Sequence, residues 1–462
     1  MEGSRTIKSV SADLARFASG LTIGAMPPAV RDVVRASITD AVGVIMAGAA
    51  LGADSRAFVD LAQAQGGSGA TLLGHRAPVA PAFAAFGNGA LGHALDFEET
   101  HDATLVHPAA SVVPAVLAVA EARGASGADV MAAVCAGSET SVRIGQSFVG
   151  NVQAGTSFFV IPLIGAMGAA VGAGRILGLT PAQMEQAIAL AIGQVVGSKA
   201  VLTDPASSIR EVRDGFNAKA GVIAAELALR GLSGFASPLE AEHGYYDMFA
   251  KREFNPVAFD GLGERFEMAA MSFKPWPACR GAHVFIEMAL SLMTEHGLSA
   301  KDIAGVEVGV SPFFETLCEP EELRKRPPNA ASAKFSIPFS VASAVVRGGV
   351  GLDSFSDAAR GDPAILRLAG RVAHRVLDLP QDRSTSGTLA LLTQGGARFE
   401  AALDQPMGHP TRPMTSAALE DKFRACAGQA PMPPDTRQID AFLSAMAALE
   451  DAPDIGKIIA TL

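Results

Sequence analysis

Val30, Val34, Ile38, Val42 and Ile45 recur at three- and four-residue spacing directly after Pro27-Pro28. That spacing lays an apolar stripe along one face of a helix, which must be covered by another element. The same logic repeats downstream. Thr180-Pro181-Ala182-Gln183 places Thr at an N-cap, Pro in the first turn and Gln at the capping-box position, with Ala187, Leu190 and Ala191 following. Further helices are predicted over 128–146 and 216–229, and Ala109 to Ala120 reads as a buried helix. The chain up to about residue 270 is therefore expected to be almost entirely helical and packed as a bundle.

The period then changes. Val306-Glu-Val308-Gly-Val310 alternates with period two, and Thr388 to Leu392 and Phe399 to Leu403 do so less strictly. Helical segments are predicted around them at 283–296, 336–346 and 363–368, which makes 271–404 a mixed domain with helices on a small antiparallel sheet. Helical spacing resumes at Leu419 and Phe423, and again at Ile439, Phe442, Met446 and Leu449. The expected fold is mainly α. Residues 1–270 and 405–462 build one large all-helical domain from both chain ends, and 271–404 is an inserted α+β lid.

Composition narrows the function. With 462 residues and 49% hydrophobic content, the chain can bury a large core. A formal charge of -10, with no basic run longer than Arg324-Lys325-Arg326, argues against nucleic acid or an anionic membrane as partner. Cys135, Cys279, Cys318 and Cys426 are far apart, so no local zinc or iron-sulfur motif is encoded and reduced thiols in a cytoplasm fit best. The start, Met1 to Ser11, runs into Asp13 and Arg16 instead of an apolar stretch, so no secretory signal is expected. The uncharged stretch Ile144 to Gly174 is the one membrane candidate, and its polar residues and Pro162 read better as a buried helix pair.

Chemistry concentrates in one place. From His93 to His107 the chain carries three histidines, four acids and two threonines, entered through Gly87-Asn88-Gly89 and left through the apolar run from Ala109. Titratable groups held between packed helices are candidates for proton transfer. Structural readings stand beside the functional ones. His107 before Pro108 can simply cap a helix, His93 can satisfy buried backbone groups, His101 reads as a solvated loop residue, and Glu98 and Glu99 as an exposed helix edge. Asp96, flanked by Leu95 and Phe97, is drawn inward and then needs a partner. Glu139 and Arg143, four apart on a helix, read as an internal ion pair, and Cys279 as a packed thiol.

Taken together, His93-Ala-Leu-Asp96-Phe-Glu-Glu-Thr100, His107-Pro108-Ala-Ala-Ser111, Lys274-Pro-Trp-Pro-Ala-Cys279-Arg280-Gly-Ala-His283 and Ala333-Lys334-Phe335-Ser336-Ile337-Pro338 resemble the MmgE/PrpD family over nearly the whole chain. Members of that family include dehydratases, decarboxylases and epimerases of small polycarboxylates such as 2-methylcitrate and cis-aconitate. The resemblance implies the helical domain with an inserted lid, an active site in the cleft, a homodimer, and neither a metal nor an organic cofactor. It implies Asp96, Thr100 and His107 on one side of the site, with Lys274 and His283 facing them, and a cation at Arg210. Three positions depart from the family pattern: Phe159 stands where a His is usual, Phe339 where a Tyr is usual, and Arg213 where the family has a His. Phe159 and Phe339 each remove a proton donor.

The resulting expectation is a lyase that removes a proton next to a carboxylate of a small di- or tricarboxylic acid. His107 serves as base or acid, Asp96 as its partner and His283 as a second acid-base group. Thr100, Arg210, Lys274 and Arg280 bind the substrate, the arginines gripping carboxylates with a planar guanidinium. The alternatives are an epimerase or isomerase of a polycarboxylate and, in a different class, a non-catalytic carboxylate-binding or scaffold protein.

Overall fold

A computed structural model describes residues 9–148, 157–195, 197–204, 207–380 and 383–462. The chain divides into two compact units: residues 1–94, 104–271 and 417–462 form the first, and residues 95–103 and 272–416 the second. Two boundaries differ from those read in the sequence. Residues 405–416 belong with the second unit, and so does the short segment 95–103.

The first unit is built from helices α1 (Pro28–Leu51), α2 (Pro81–His93), α3 (Pro108–Arg123), α4 (Gly127–Ser147), α5 (Val160–Ile176), α6 (Pro181–Ile192) and α7 (Ile209–Leu229). The expected stripe of α1, Val30 to Ile45, is buried throughout. The Thr180 cap is present with both halves of its capping box. Helix α7 begins seven residues earlier than its apolar periodicity, because its first two turns carry Arg210, Glu211, Arg213 and Asp214. Helix α1 is also long and apolar enough to cross a membrane, but 67% of its most apolar window is buried inside the protein. Among the described residues it is the segment that meets that test. Of the stretch 144–174, 149–156 lie outside the described residues, as do residues 1–8 of the chain start.

Gly87-Asn88-Gly89 is not a chain entry but lies inside α2. Helices α2 and α7 cross at glycine. A Cβ on Gly89 would sit 2.7 Å from the carbonyl oxygen of Asp214, and one on Gly215 2.4 Å from that of Phe86. Each glycine costs its helix roughly 0.5–1 kcal/mol relative to alanine and is kept because only a bare Cα admits the other backbone. Asn88 serves a different end. Its amide accepts from Leu73 N–H (3.0 Å) and donates to the Thr71 carbonyl (2.8 Å), tying α2 to the hairpin Ala70–Leu72 with Ala77–Val79.

The second unit holds a four-stranded sheet of β1 (Ile303–Val310), β2 (Val372–Val376), β3 (Gly387–Thr393) and β4 (Arg398–Leu403) in the order β2-β1-β3-β4. β3 pairs antiparallel with both β1 and β4, with Val306 opposite Leu391 and Leu389 opposite Ala401. β2 pairs parallel with β1, so the sheet is mixed and not antiparallel throughout. A parallel pair needs a long crossover, supplied here by the chain between 310 and 372. β2 escapes a reading by periodicity because only Val372 of its five residues is buried. Helices α8 (His283–Glu295), α9 (Ile337–Arg347) and α10 (Pro363–Ala369) pack on this sheet and on one another.

The expected pair Glu139–Arg143 is present, fully buried, at 2.9 Å. Arg143 also donates to the carbonyls of Ala258, Asp260 and Arg265, while Glu139 accepts the Met268 amide at 2.7 Å. One ion pair thus pins the chain 258–268, which runs from one short 3₁₀ helix to another, to the bundle. Arg143→Met would strand a buried carboxylate and three carbonyls, and is expected to cost about 3–5 kcal/mol in urea unfolding. Burial pushes the Glu139 carboxyl up to about 7 against the opposing pull of Arg143 and the Met268 amide. Since the same group in the unfolded chain titrates near 4.5, the folded state holds an extra proton between these values. Stability from this group is then full below the lower value and falls as pH rises to the upper one. Urea unfolding at several pH values across that window should show the wild type losing stability relative to Glu139→Gln, and parallel curves would contradict this.

Candidate active site

In the first unit the site is organised by His107, which occupies the N-cap position of α3 with Pro108 as the first helical residue. Its side chain makes no capping hydrogen bond, so the structural alternative of a helix cap is not the use made of this imidazole. The ring instead lies edge-on to that of His93, the last residue of α2, with centroids 5.3 Å apart. His93 is buried, and its Nδ1 is 4.0 Å from Oδ2 of Asp214 on α7. The other oxygen of Asp214 accepts from Ser111 Oγ at 2.5 Å and from Asn217 Nδ2 at 3.3 Å.

Arg213 completes this group. Its Nε stands 3.7 Å from Asp214 Oδ2, and its guanidinium lies over the Phe159 ring at 5.5 Å. The two residues that depart from the family pattern on this side therefore contact each other, the arginine stacking on the aromatic ring. His107, Arg213 and Asp214 line one cavity of about 20 Å³ with Val106, Pro108, Ser141 and Gly165. That is room for about one water molecule. The cation beside His107 is thus Arg213, one turn further along α7 than Arg210. Arg210 is partly buried in the first turn, and its carbonyl accepts from the Arg213 guanidinium.

In the second unit Lys274 is fully buried and holds Asp96. Its Nζ is 2.6 Å from the Asp96 carboxylate and 2.8 Å from the Asp96 carbonyl. Asp96 sits at φ 50°, in the left-handed region where Asp is one of the few tolerated side chains. The ammonium bonding both its carbonyl and its carboxylate fixes that turn. Burial by itself would lower the Lys274 pKa, but the neighbouring Asp96 and Glu98 carboxylates reverse this and hold it above its usual value. Lys274 is therefore a charged lysine with a carboxylate partner.

Arg280 is likewise committed. Nε donates to Asp102 Oδ1 (3.0 Å), Nη2 to Asp102 Oδ2 (3.0 Å) and Nη1 to the Met407 carbonyl (2.8 Å), a bidentate grip on Asp102. His283 is fully buried behind it, with Nε2 3.0 Å from the Ala278 carbonyl and Nδ1 3.4 Å from Arg280 Nη1. A proton on Nε2 satisfies both contacts. In this geometry Arg280 grips Asp102 and His283 packs behind the guanidinium. Asp102, with a further bond from Ser272 Oγ at 2.8 Å, is the acid of the 93–107 run that sequence reasoning left aside.

Thr100 is buried. So are Glu98, Glu99 and His101, against the expectation of an exposed helix edge and a solvated loop. The segment is not helical but a run of turns around a two-residue strand, so its side chains do not sort onto a wet and a dry face. Phe339 is fully buried in α9 near Phe355, a position at which no hydroxyl could be satisfied without a partner.

Residues 12–256 match the family model described as MmgE/PrpD N-terminal domain, and residues 276–446 the one described as MmgE/PrpD C-terminal domain. The chain is similar to cis-aconitate decarboxylase of Homo sapiens, 27% identical over 76% of this chain and 73% of that protein. It is also similar to cis-aconitate decarboxylase of Aspergillus terreus, 26% identical over 91% and 89%, and of Mus musculus, 24% identical over 97% and 92%.

A buried carboxylate with an ammonium 2.6 Å away should suffer when that cation is removed. Lys274→Met is expected to lose about 3–5 kcal/mol in urea unfolding, and Asp96→Asn in the same chain to recover part of it. Equal losses in the single and double variants would show that the two groups are not coupled.

Proposed function

This chain belongs to the MmgE/PrpD family, and we propose that it is a cytoplasmic lyase acting on a small di- or tricarboxylic acid. The observation that carries this reading is the grouping of His107, Arg213 and Asp214 around one cavity, with His93 against the His107 ring. The names of the relatives favour a carboxy-lyase acting on an unsaturated acid of the cis-aconitate type.

In such a reaction the bond to the departing carboxylate breaks and carbon dioxide leaves. The electron pair stays on carbon as an enolate-like carbanion, and an imidazolium delivers a proton to it. His107 is the group we assign to that transfer. In the removal of water, the same imidazole runs in the opposite sense: it takes the proton from carbon, the C–O bond breaks as the double bond forms, and the imidazolium returns that proton to the departing hydroxide. Arg213 is the cation we assign to a spectator carboxylate, since its planar guanidinium can grip one bidentately once the group moves off the Phe159 ring. The cavity beside His107 holds about one water molecule, so entry of a polycarboxylate requires its walls to part. The reaction as written uses side chains and substrate alone. Ile209 and Phe216 at the start of α7, each about half exposed, offer an apolar face for the homodimer we place there.

One observation favours a second reading. Phe159 and Phe339 have no proton to donate, and Phe159 serves as the platform for Arg213. A reaction that removes and returns one proton at one carbon needs fewer donors than dehydration, so an epimerase or isomerase of a polycarboxylate is the alternative.

Proton NMR of the protein in deuterated water with citrate, 2-methylcitrate, cis-aconitate, malate, aspartate and iminodisuccinate separates the readings. New olefinic products, or loss of a carboxylate, identify a lyase. Exchange of an α-proton without a new skeleton identifies an epimerase, and no change with any acid speaks for a binding protein. His107→Ala is expected to abolish turnover while leaving the melting temperature within a few degrees, and a variant that unfolds would return His107 to a structural role.

A further inference from the structure

We infer that Asp214 is a positioning residue, which fixes the tautomer and orientation of His93 beside the proton-transferring His107. The inference rests on the reading of His107 proposed above and adds to it a carboxylate that comes from α7, outside the 93–107 run.

Asp214 is buried, and its two oxygens are used differently. Oδ1 is held by Ser111 Oγ and Asn217 Nδ2. Oδ2 has no hydrogen-bond partner among the described residues, and neither has Nε of Arg213 3.7 Å away. A buried carboxylate oxygen left open is costly and calls for a donor. The two candidates in range are His93 Nδ1 at 4.0 Å and Arg213 Nε. Hydrogen bonds in an unliganded site are often long and tighten when it closes on substrate. Arg213 is the cation assigned to the substrate's carboxylate and lies over the Phe159 ring, so the donor assigned to Oδ2 is His93 Nδ1 in the free protein already, and closure on substrate shortens that contact.

The chemical consequence follows from the imidazole. A carboxylate opposite Nδ1 favours the tautomer with the proton there, leaving a lone pair on Nε2. The His93 backbone is held in place, because it ends α2 where that helix is locked on α7 at Gly89 and Gly215, and its side chain is buried. Ser111 lies one turn into α3, whose N-cap position is His107. A single carboxylate thus ties the helix ends that carry the two histidines. Within this unit His107 from α3 lies against the His93 ring and Asp214 from α7 lies opposite Nδ1, while Asp96 and Glu98 follow His93 in the chain.

The test needs no substrate at its first stage. The nitrogen-15 spectrum of the imidazoles of histidine-labelled protein distinguishes the two tautomers, and His93→Gln assigns the signal. His93 is expected to carry its proton on Nδ1 in the wild type and to shift toward the Nε2-protonated form in Asp214→Asn. An unchanged His93 signal in a folded Asp214→Asn overturns the inference. Should that variant not fold, Ser111→Ala, which loosens Oδ1 alone, must broaden or move the same signal, and an unchanged signal there overturns it equally. With a turned-over acid, Asp214→Asn is expected to lower kcat by roughly 10²-fold with KM changed less than about twofold, and a wild-type rate in the variant overturns it. If the wild type exchanges no proton with any acid, the function proposed above fails, and the tautomer measurement still decides the Asp214–His93 link by itself.

Discussion

The contact on which the rest of the first unit depends is the crossing of α2 and α7 at Gly89 and Gly215. With no Cβ on either side, each backbone approaches the other to within a distance that any side chain would prohibit. The consequence is chemical as well as mechanical. Gly89 is one turn before His93 and Gly215 is next to Asp214, so the same close approach that completes the helix packing sets a carboxylate against an imidazole. Helix α3 is drawn into the arrangement through Ser111, and His107 follows because it stands at the start of that helix.

Charge is handled in the two units by the same rule. Among the described residues four buried cations are each neutralised by a specific partner: Arg143 by Glu139, Lys274 by Asp96, Lys422 by Asp40 and Arg280 by Asp102. Removing such ions from water is expensive and is repaid only by short, well-directed bonds. The looser contacts therefore stand out. Around Asp214 Oδ2 the neighbouring donors lie at 3.7 and 4.0 Å, a spacing that leaves room for rearrangement where Glu139–Arg143 leaves none. This difference is why His93, Arg213 and Asp214 are read as working groups and the Glu139–Arg143 pair as a clamp.

Much of this was legible beforehand, and for identifiable reasons. Helical periodicity and the Thr180 cap are local, so α1 and α6 fall where the residues place them. The 93–107 run announced itself by density of titratable groups, and two of its histidines do lie together. Asp102 was passed over because an acid in a loop has no pattern of its own; its importance comes from Arg280, 178 positions away. β2 was missed because an edge strand with one buried residue carries almost no alternation.

Residue order alone thus settled α1, α3, α4 and α6, three of the four strands of the second unit's sheet and the family, since each depends on neighbours within a few positions or on motifs read in line, whereas α2 was not read from it. Which carboxylate serves which cation was left to the packing of segments far apart in the chain. Arg280 turned out to grip Asp102, Lys274 to hold Asp96, and Arg213 to share a cavity with His107, because a buried charge takes the partner that the fold brings within about 3–4 Å. No spacing in the sequence encodes that distance.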